Sequence, residues 1–134
     1  MQRTEDTRRT LLVVEASFDL GNALADAALE HGWEPFLAGN AEAALSILPG
    51  ILGEVLVLVD LASAVSRGLA LVLTLRRNPP PANVRVVVMT GGQPIPEAVK
   101  RASFVVGAVR RPKHPSEAEA LARALFESPE IAHA

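Results

Sequence analysis

A chain of 134 residues has the length of one domain and can bury a sizeable core; with 49% hydrophobic residues and few aromatics, that core must be built from Val, Leu and Ala. A formal net charge of −2 argues against nucleic-acid binding through the overall field, and the absence of cysteine excludes disulfides, thiolate metal sites and cysteine catalysis. No stretch approaches a membrane span, because apolar runs such as residues 55–59 and 104–109 meet a charge within a few positions.

Residues 1–9 are polar and mixed in sign, unlike a signal peptide, and read as a flexible N-terminal arm. Residues 10–127 read as the domain and 128–134 as a flexible tail, in a protein expected to be cytoplasmic. The apolar run 11–14 predicts a first strand, and Ser17 behind it is suited to N-cap a helix. Leu20, Ala23, Leu24, Ala27, Ala28 and His31 then recur at helical spacing on one face, closed by Gly32, while Leu29 falls off that face and is expected to be exposed. A short strand over 33–38 contains Pro35, which cannot donate to a ladder and so belongs at an edge.

Asn40 caps a predicted helix over 41–48, stopped by Pro49 and Gly50. Residues 55–59 alternate Val and Leu without interruption, the pattern of a strand buried on both faces in a parallel sheet, and end at Asp60. A helix over 68–77 ends at Asn78 and three prolines; a strand over 84–90 runs into Gly91 and Gly92. A weak helix over 97–102, a strand over 104–109 and a helix over 116–126 complete the chain. Five strands alternating with five helices predict a three-layer α/β sandwich with a parallel sheet in the flavodoxin-like order 2-1-3-4-5, which places the Pro35 strand at an edge.

Parallel strands align their carboxyl ends, so Glu15, Asp60, Thr90 and Arg111 are expected at one rim, where open α/β sheets place their ligand crevice. Two carboxylates, a hydroxyl and a guanidinium suit phosphoryl chemistry or anion binding. An aspartate that attacks a phosphoryl donor needs a hard cation held by oxygen ligands and a fixed positive charge. The plainer alternative is that Asp60 caps the following loop. Gly91 and Gly92 lack the spacing of a phosphate-binding P-loop, His31, His114 and His133 have no mutual spacing for a metal, and no nucleophile–histidine–acid triad is present. The basic run Lys100, Arg101, Arg110, Arg111, Lys113 and His114 has no acid between Glu97 and Glu117; it reads as a solvated face or a docking surface, without the aromatics that nucleic-acid stacking needs.

These residues, in this order, resemble the receiver domain of bacterial response regulators, the CheY-like family, over about residues 10–126. Val13-Val14-Glu15 is similar to the family's first strand and acid, and Gly32-Trp33-Glu34-Pro35-Phe36 with Ala43-Ala44-Leu45 to its second strand and helix. Asp60 with Gly68 stands like the phospho-acceptor and its downstream glycine, Thr90 like the switch hydroxyl, and Arg111-Pro112 where the family carries Lys-Pro. The resemblance implies Mg²⁺ held by Asp60, the backbone carbonyl of Ala62 and, through water, Glu15, but weakened because Ala16 replaces the second acid. Arg111 is not interchangeable with lysine, the loop 61–65 lacks the usual proline, and Ala108 stands where the family has its switch aromatic. A site with two acids and a guanidinium is expected to be only weakly charged without a metal.

The expectation is therefore a stand-alone, divergent receiver-like domain in two-component or phosphorelay signalling, a pseudo-receiver rather than an enzyme, with phosphorylation at Asp60 weak or absent. Its partner would be a signalling protein or histidine kinase at the face of the fourth helix, fifth strand and fifth helix, with Leu29 or the basic run as a possible homodimer surface. The alternatives are a conventional receiver phosphorylated on Asp60 by a histidine kinase with Mg²⁺, and a flavodoxin-like domain binding a small ligand. Flavin fits the latter poorly, since Trp33 and the few Phe residues lie outside the rim loops.

Overall fold

The structure, a computed structural model, describes residues 8–128. Strands β1 (Arg9–Val14), β2 (Glu34–Ala38), β3 (Glu54–Asp60), β4 (Val84–Thr90) and β5 (Val105–Arg110) alternate with helices α1 (Phe18–Glu30), α2 (Ala41–Ile47), α3 (Gly68–Arg77), α4 (Glu97–Lys100) and α5 (Ala118–Phe126). All strand pairs are parallel, in the order β2-β1-β3-β4-β5. Pro35 lies on the edge strand β2, as its missing N–H requires.

The helix starts follow local chemistry. The Ser17 hydroxyl accepts from the Leu20 amide at 3.3 Å and Asn40 Oδ1 from the Ala43 amide at 2.9 Å, each satisfying a donor that the first helical turn leaves free. Helix α3 begins differently. Arg67 precedes it in the left-handed conformation (φ 55°) with no side-chain cap, and its guanidinium pairs with Glu42 at 2.7 Å. Gly68 is then packed so tightly against the end of β3 that a Cβ there would overlap the Asp60 carbonyl oxygen and lie 2.8 Å from Val59 Cγ2. Only glycine lets the backbone come this close.

Several boundaries differ from those expected. Arg9 pairs with Glu54, and Thr10 with both Glu34 and Val55, so β1 starts at Arg9 rather than Leu11 and this residue, assigned to the arm, belongs to the sheet. Of the arm (1–9) and the tail (128–134), residues 1–7 and 129–134 lie outside the described residues. Helix α2 stops at Ile47 and tightens into a 3₁₀ turn through Pro49, while α4 is a single turn. Strand β5 is displaced by one residue, ending at Arg110. Pro115–Glu117 forms a 3₁₀ turn ahead of α5, held by Glu117 Oε1, which accepts from the amides of Lys113 (2.7 Å) and His114 (3.3 Å).

The sheet separates two cores. Leu56 and Leu58 point to the α1/α5 side with Leu11, Val13, Trp33 and Phe126, whereas Val55, Val57 and Val59 point to the α2/α3/α4 side with Leu12, Val14, Leu71 and Val99. Those five β3 side chains have no solvent exposure, and burying each is worth about 1.5–3 kcal/mol. Leu29, off the buried stripe of α1, is 60% exposed. A central strand buried on both faces thus delivers Asp60 to the rim on a rigid support.

Candidate functional site

Strand register assembles the site. Val14 pairs with Val59 and Asp60 with Met89, so Glu15, Asp60 and Thr90 leave neighbouring strands at one level. The Arg111 amide donates to the Thr90 carbonyl at 2.8 Å, pinning the loop after β5 to the end of β4. From there the guanidinium reaches across the rim. Its Nε donates to Glu15 Oε1 at 2.9 Å and its Nη2 to Glu15 Oε2 at 2.7 Å, a bidentate fork, and Nε lies 3.6 Å from Asp60 Oδ1. Glu15 Oε2 also accepts from the Ser17 amide at 2.8 Å.

Asp60 has no exposed surface, and both its oxygens are engaged. Oδ1 accepts from the Ala62 amide at 2.7 Å, and Oδ2 accepts from the Ser66 hydroxyl at 3.0 Å. Ser66, also fully buried, accepts in turn from the Ala16 amide at 3.1 Å, so one hydroxyl ties the loop after β1 to the acid of β3. Burial pushes the Asp60 carboxyl above its ordinary value; the Ala62 amide opposes this, the Glu15 charge reinforces it, and Ser66 and Arg111 oppose it. The Arg111 guanidinium is held protonated still more firmly than usual, chiefly by its hydrogen bonds to Glu15.

Among the expected site residues, then, Glu15, Asp60 and Arg111 are in one network. Ala62 joins it through its amide. Thr90 contributes its backbone carbonyl and lines a cavity of ≈ 210 Å³ with Leu61, Leu69, Gln93 and Ile95; among the described residues its hydroxyl makes no hydrogen bond to Asp60. Ser66 was not anticipated. Its only mark in the sequence is a small hydroxyl directly before Arg67-Gly68, and its role depends on a loop path that periodicity does not encode.

A divalent cation at this rim would need oxygen ligands, which Asp60, the Ala62 carbonyl and Glu15 would have to supply. Both Glu15 oxygens accept from Arg111, and each Asp60 oxygen accepts one hydrogen bond, from an amide and from a hydroxyl. Coordination by Glu15 requires the Arg111 fork to open first.

No protein-family model matches the chain, and no curated protein matches it by sequence. Solved structures do match. A response regulator receiver domain (CheY-like) from Methanospirillum hungatei JF-1 superposes with a TM-score of 0.67 at 14% identity, covering 87% of this chain and 98% of that one. A response regulator from Thermotoga maritima gives 0.64 at 20% identity over 90% and 99% of the two chains. The Thermotoga maritima response regulator TrrA in complex with Mg(2+)-BeF gives 0.60 at 19% identity over 88% and 98%. The fold is that of a CheY-like receiver domain.

Ala108 is exposed on β5, and a shallow cavity of ≈ 260 Å³ runs past it between Val99, Lys100, Val105 and Ile95. Of the basic residues there, Lys100 and Arg101 share Glu97 at 3.6 and 3.5 Å. His31 closes α1 as its C-cap and bonds Glu119 of α5 at 3.0 Å. Trp33 is buried against Phe126 at 4.7 Å between ring centroids, far from any rim loop. No helix among the described residues is long and apolar enough to cross a membrane.

Proposed function

We propose that the chain is a receiver-like signalling domain that acts by contact with a partner protein, with Asp60 closed to phosphoryl transfer. The observation that carries this reading is the sealed acid: Asp60 is fully buried with both oxygens engaged, beneath a bidentate Glu15–Arg111 pair. Nucleophilic attack needs an open line from a carboxylate oxygen to the phosphorus, and burial beneath the Glu15–Arg111 pair denies Asp60 that line. Arg111 supplies the positive charge that a cation would otherwise bring, so Mg²⁺ binding is weak or absent.

The receiver fold supports a place in two-component or phosphorelay signalling. Ala108 removes the ring that would couple Thr90 to the α4–β5–α5 face, which supports constitutive docking there to a histidine kinase or another signalling protein, in the cytoplasm. A second copy of the chain is an alternative partner. The buried Trp33 argues against the small-ligand reading with flavin, and a colourless purified protein is the expected result.

The competing reading is a conventional receiver, favoured by the position of Asp60 at the carboxyl end of the central strand in a receiver sheet. Incubation with Mg²⁺ and a small-molecule phosphodonor, followed by intact mass beside an Asp60→Asn control, separates the two. Unchanged mass with the fold intact is the expected result. One phosphoryl group gained, and lost in the control, would establish a working receiver.

A further inference from the structure

The end of the molecule away from the rim carries an apolar face that the acid site leaves unused. Its main feature is a cleft of ≈ 390 Å³ at the start of β4, lined by Leu45, Leu48 and Ile51 from the end of α2 onward and by Pro79, Pro80 and Pro81 from the loop after α3. The buried Leu75 and Val84 also line it, and no charged side chain does. Each proline ring fixes its own φ, so this side of the cleft is set before anything docks and little chain entropy is lost on contact. Beside it a smaller cleft of ≈ 160 Å³ opens at the start of β1 and β2, and Ile51 lines both.

The smaller cleft is where apolar surface stands out. Leu52, 61% exposed, and Phe36, 38% exposed, both line it. Phe36 is in register with Leu12, which belongs to the core on the α2/α3/α4 side, as do Leu75 and Val84, so both clefts open on the same side of the sheet. A protruding leucine beside an apolar cleft is self-complementary. A second copy turned by a two-fold axis can seat its Leu52 in the cleft of the first and receive the first copy's Leu52 in return. Charge allows it as well. The larger cleft carries none, and the smaller is flanked by Arg8 and Glu34, one of each sign, which a two-fold axis can set opposite each other. Eleven residues line the larger cleft and seven the smaller, with Ile51 in both, which approaches the roughly 20–30 residues a side of a standard interface.

We propose that this face joins two copies of the chain in a two-fold dimer, with Leu52 of each copy held in the proline-lined cleft of the other. The contact uses neither Asp60 nor the α4–β5–α5 side. It forms at the amino ends of the strands and leaves the rim of each copy free.

Sedimentation velocity of the full chain, from micromolar to submillimolar concentration, tests this. The expected result is a single monomer–dimer equilibrium. Leu52→Lys drives a charge into the apolar cleft and should weaken the dimer by at least about thirty-fold, the size of a hot-spot loss. Leu52 is exposed in the single chain, so the variant should keep its fold, checked by circular dichroism. Pro79→Glu, also at an exposed position, should weaken the dimer from the cleft side. Leu29→Lys, at a residue 60% exposed on α1, should leave the dimer unchanged, as should Asp60→Asn. Amide shifts of the ¹⁵N-labelled chain on dilution should map to residues 45–52 and 78–84. A monomer at every concentration would overturn the proposal, as would an open series of larger species. So would a dimer that survives both Leu52→Lys and Pro79→Glu, or one lost in Leu29→Lys, or dilution shifts confined to β5 or α1. None of these readouts involves phosphoryl transfer, so failure here is distinct from failure of the sealed-acid reading.

Discussion

Removing the guanidinium from Arg111 tests the sealed acid most directly. In Arg111→Ala, Glu15 loses both forked hydrogen bonds and Asp60 loses the cation 3.6 Å from Oδ1, while the two carboxyls stay buried with side-chain exposures of 1% and 0%. Breaking a buried pair from one side costs about 3–5 kcal/mol, because a charge is left uncompensated. Arg111 is 27% exposed, so water screens part of its share, and the expected loss is at the lower end, about 3 kcal/mol at neutral pH. The loss should depend on pH in one sense only. Asp60 is already harder to ionise in the folded chain than in the unfolded one, and losing the guanidinium removes a charge that opposes this. The native state then binds the extra proton, and stability falls as pH rises above about 4. Urea unfolding followed by far-ultraviolet circular dichroism between mildly acid and neutral pH measures this. The variant should approach wild type at the acid end and diverge toward neutrality; added Mg²⁺ should restabilise the variant and leave wild type unchanged. A loss below about 1 kcal/mol at neutral pH, or one independent of pH, would mean that the fork is a solvated surface contact and the reasoning is wrong.

Three further outcomes follow from the same geometry. Asp60→Asn removes a carboxyl whose ionisation burial already opposes. It should leave stability at neutral pH unchanged or raise it by about 1 kcal/mol, and flatten its decline from acid toward neutral pH, read by the same unfolding curves. Ser66→Ala leaves Asp60 Oδ2 and the Ala16 amide without their shared partner and should cost about 1–3 kcal/mol, with faster hydrogen exchange at the Ala16 amide. Gly68→Ala drives a methyl into the Asp60 carbonyl and should lower the melting temperature by an amount equivalent to at least about 2 kcal/mol, whereas Gly39→Ala, with open space around it, should be nearly silent.

Much of this fold was legible because its signals are local. The Val and Leu run of β3, the caps Ser17 and Asn40 and the proline in β2 each carry their own physical cause, and the alternation of elements left few topologies. Arg9 was missed because its place depends on pairing with Glu54 across the sheet, which its own neighbours do not announce. The site divides in the same way. Glu15, Asp60 and Arg111 were brought together by counting strand ends, but the fork depends on the loop bond from Arg111 to the Thr90 carbonyl. Ser66 was invisible because its contacts to Asp60 and Ala16 span six and fifty positions along a path with no repeat. Thr90 ends β4 at the rim and lines the neighbouring cavity, and among the described residues its hydroxyl makes no hydrogen bond to Asp60.

Trp33, the sole tryptophan, lies at the amino ends of the strands, stacked on Phe126 with the Arg9 guanidinium 5.2 Å above its ring. The rim is the length of a strand away, about 20 Å for six residues. No ligand at the rim can touch the indole, so its emission is a built-in far-end gauge. A change on adding Mg²⁺ and a phosphodonor would measure how much of a rim event travels through the sheet, and a flat trace would show that it stays where it began.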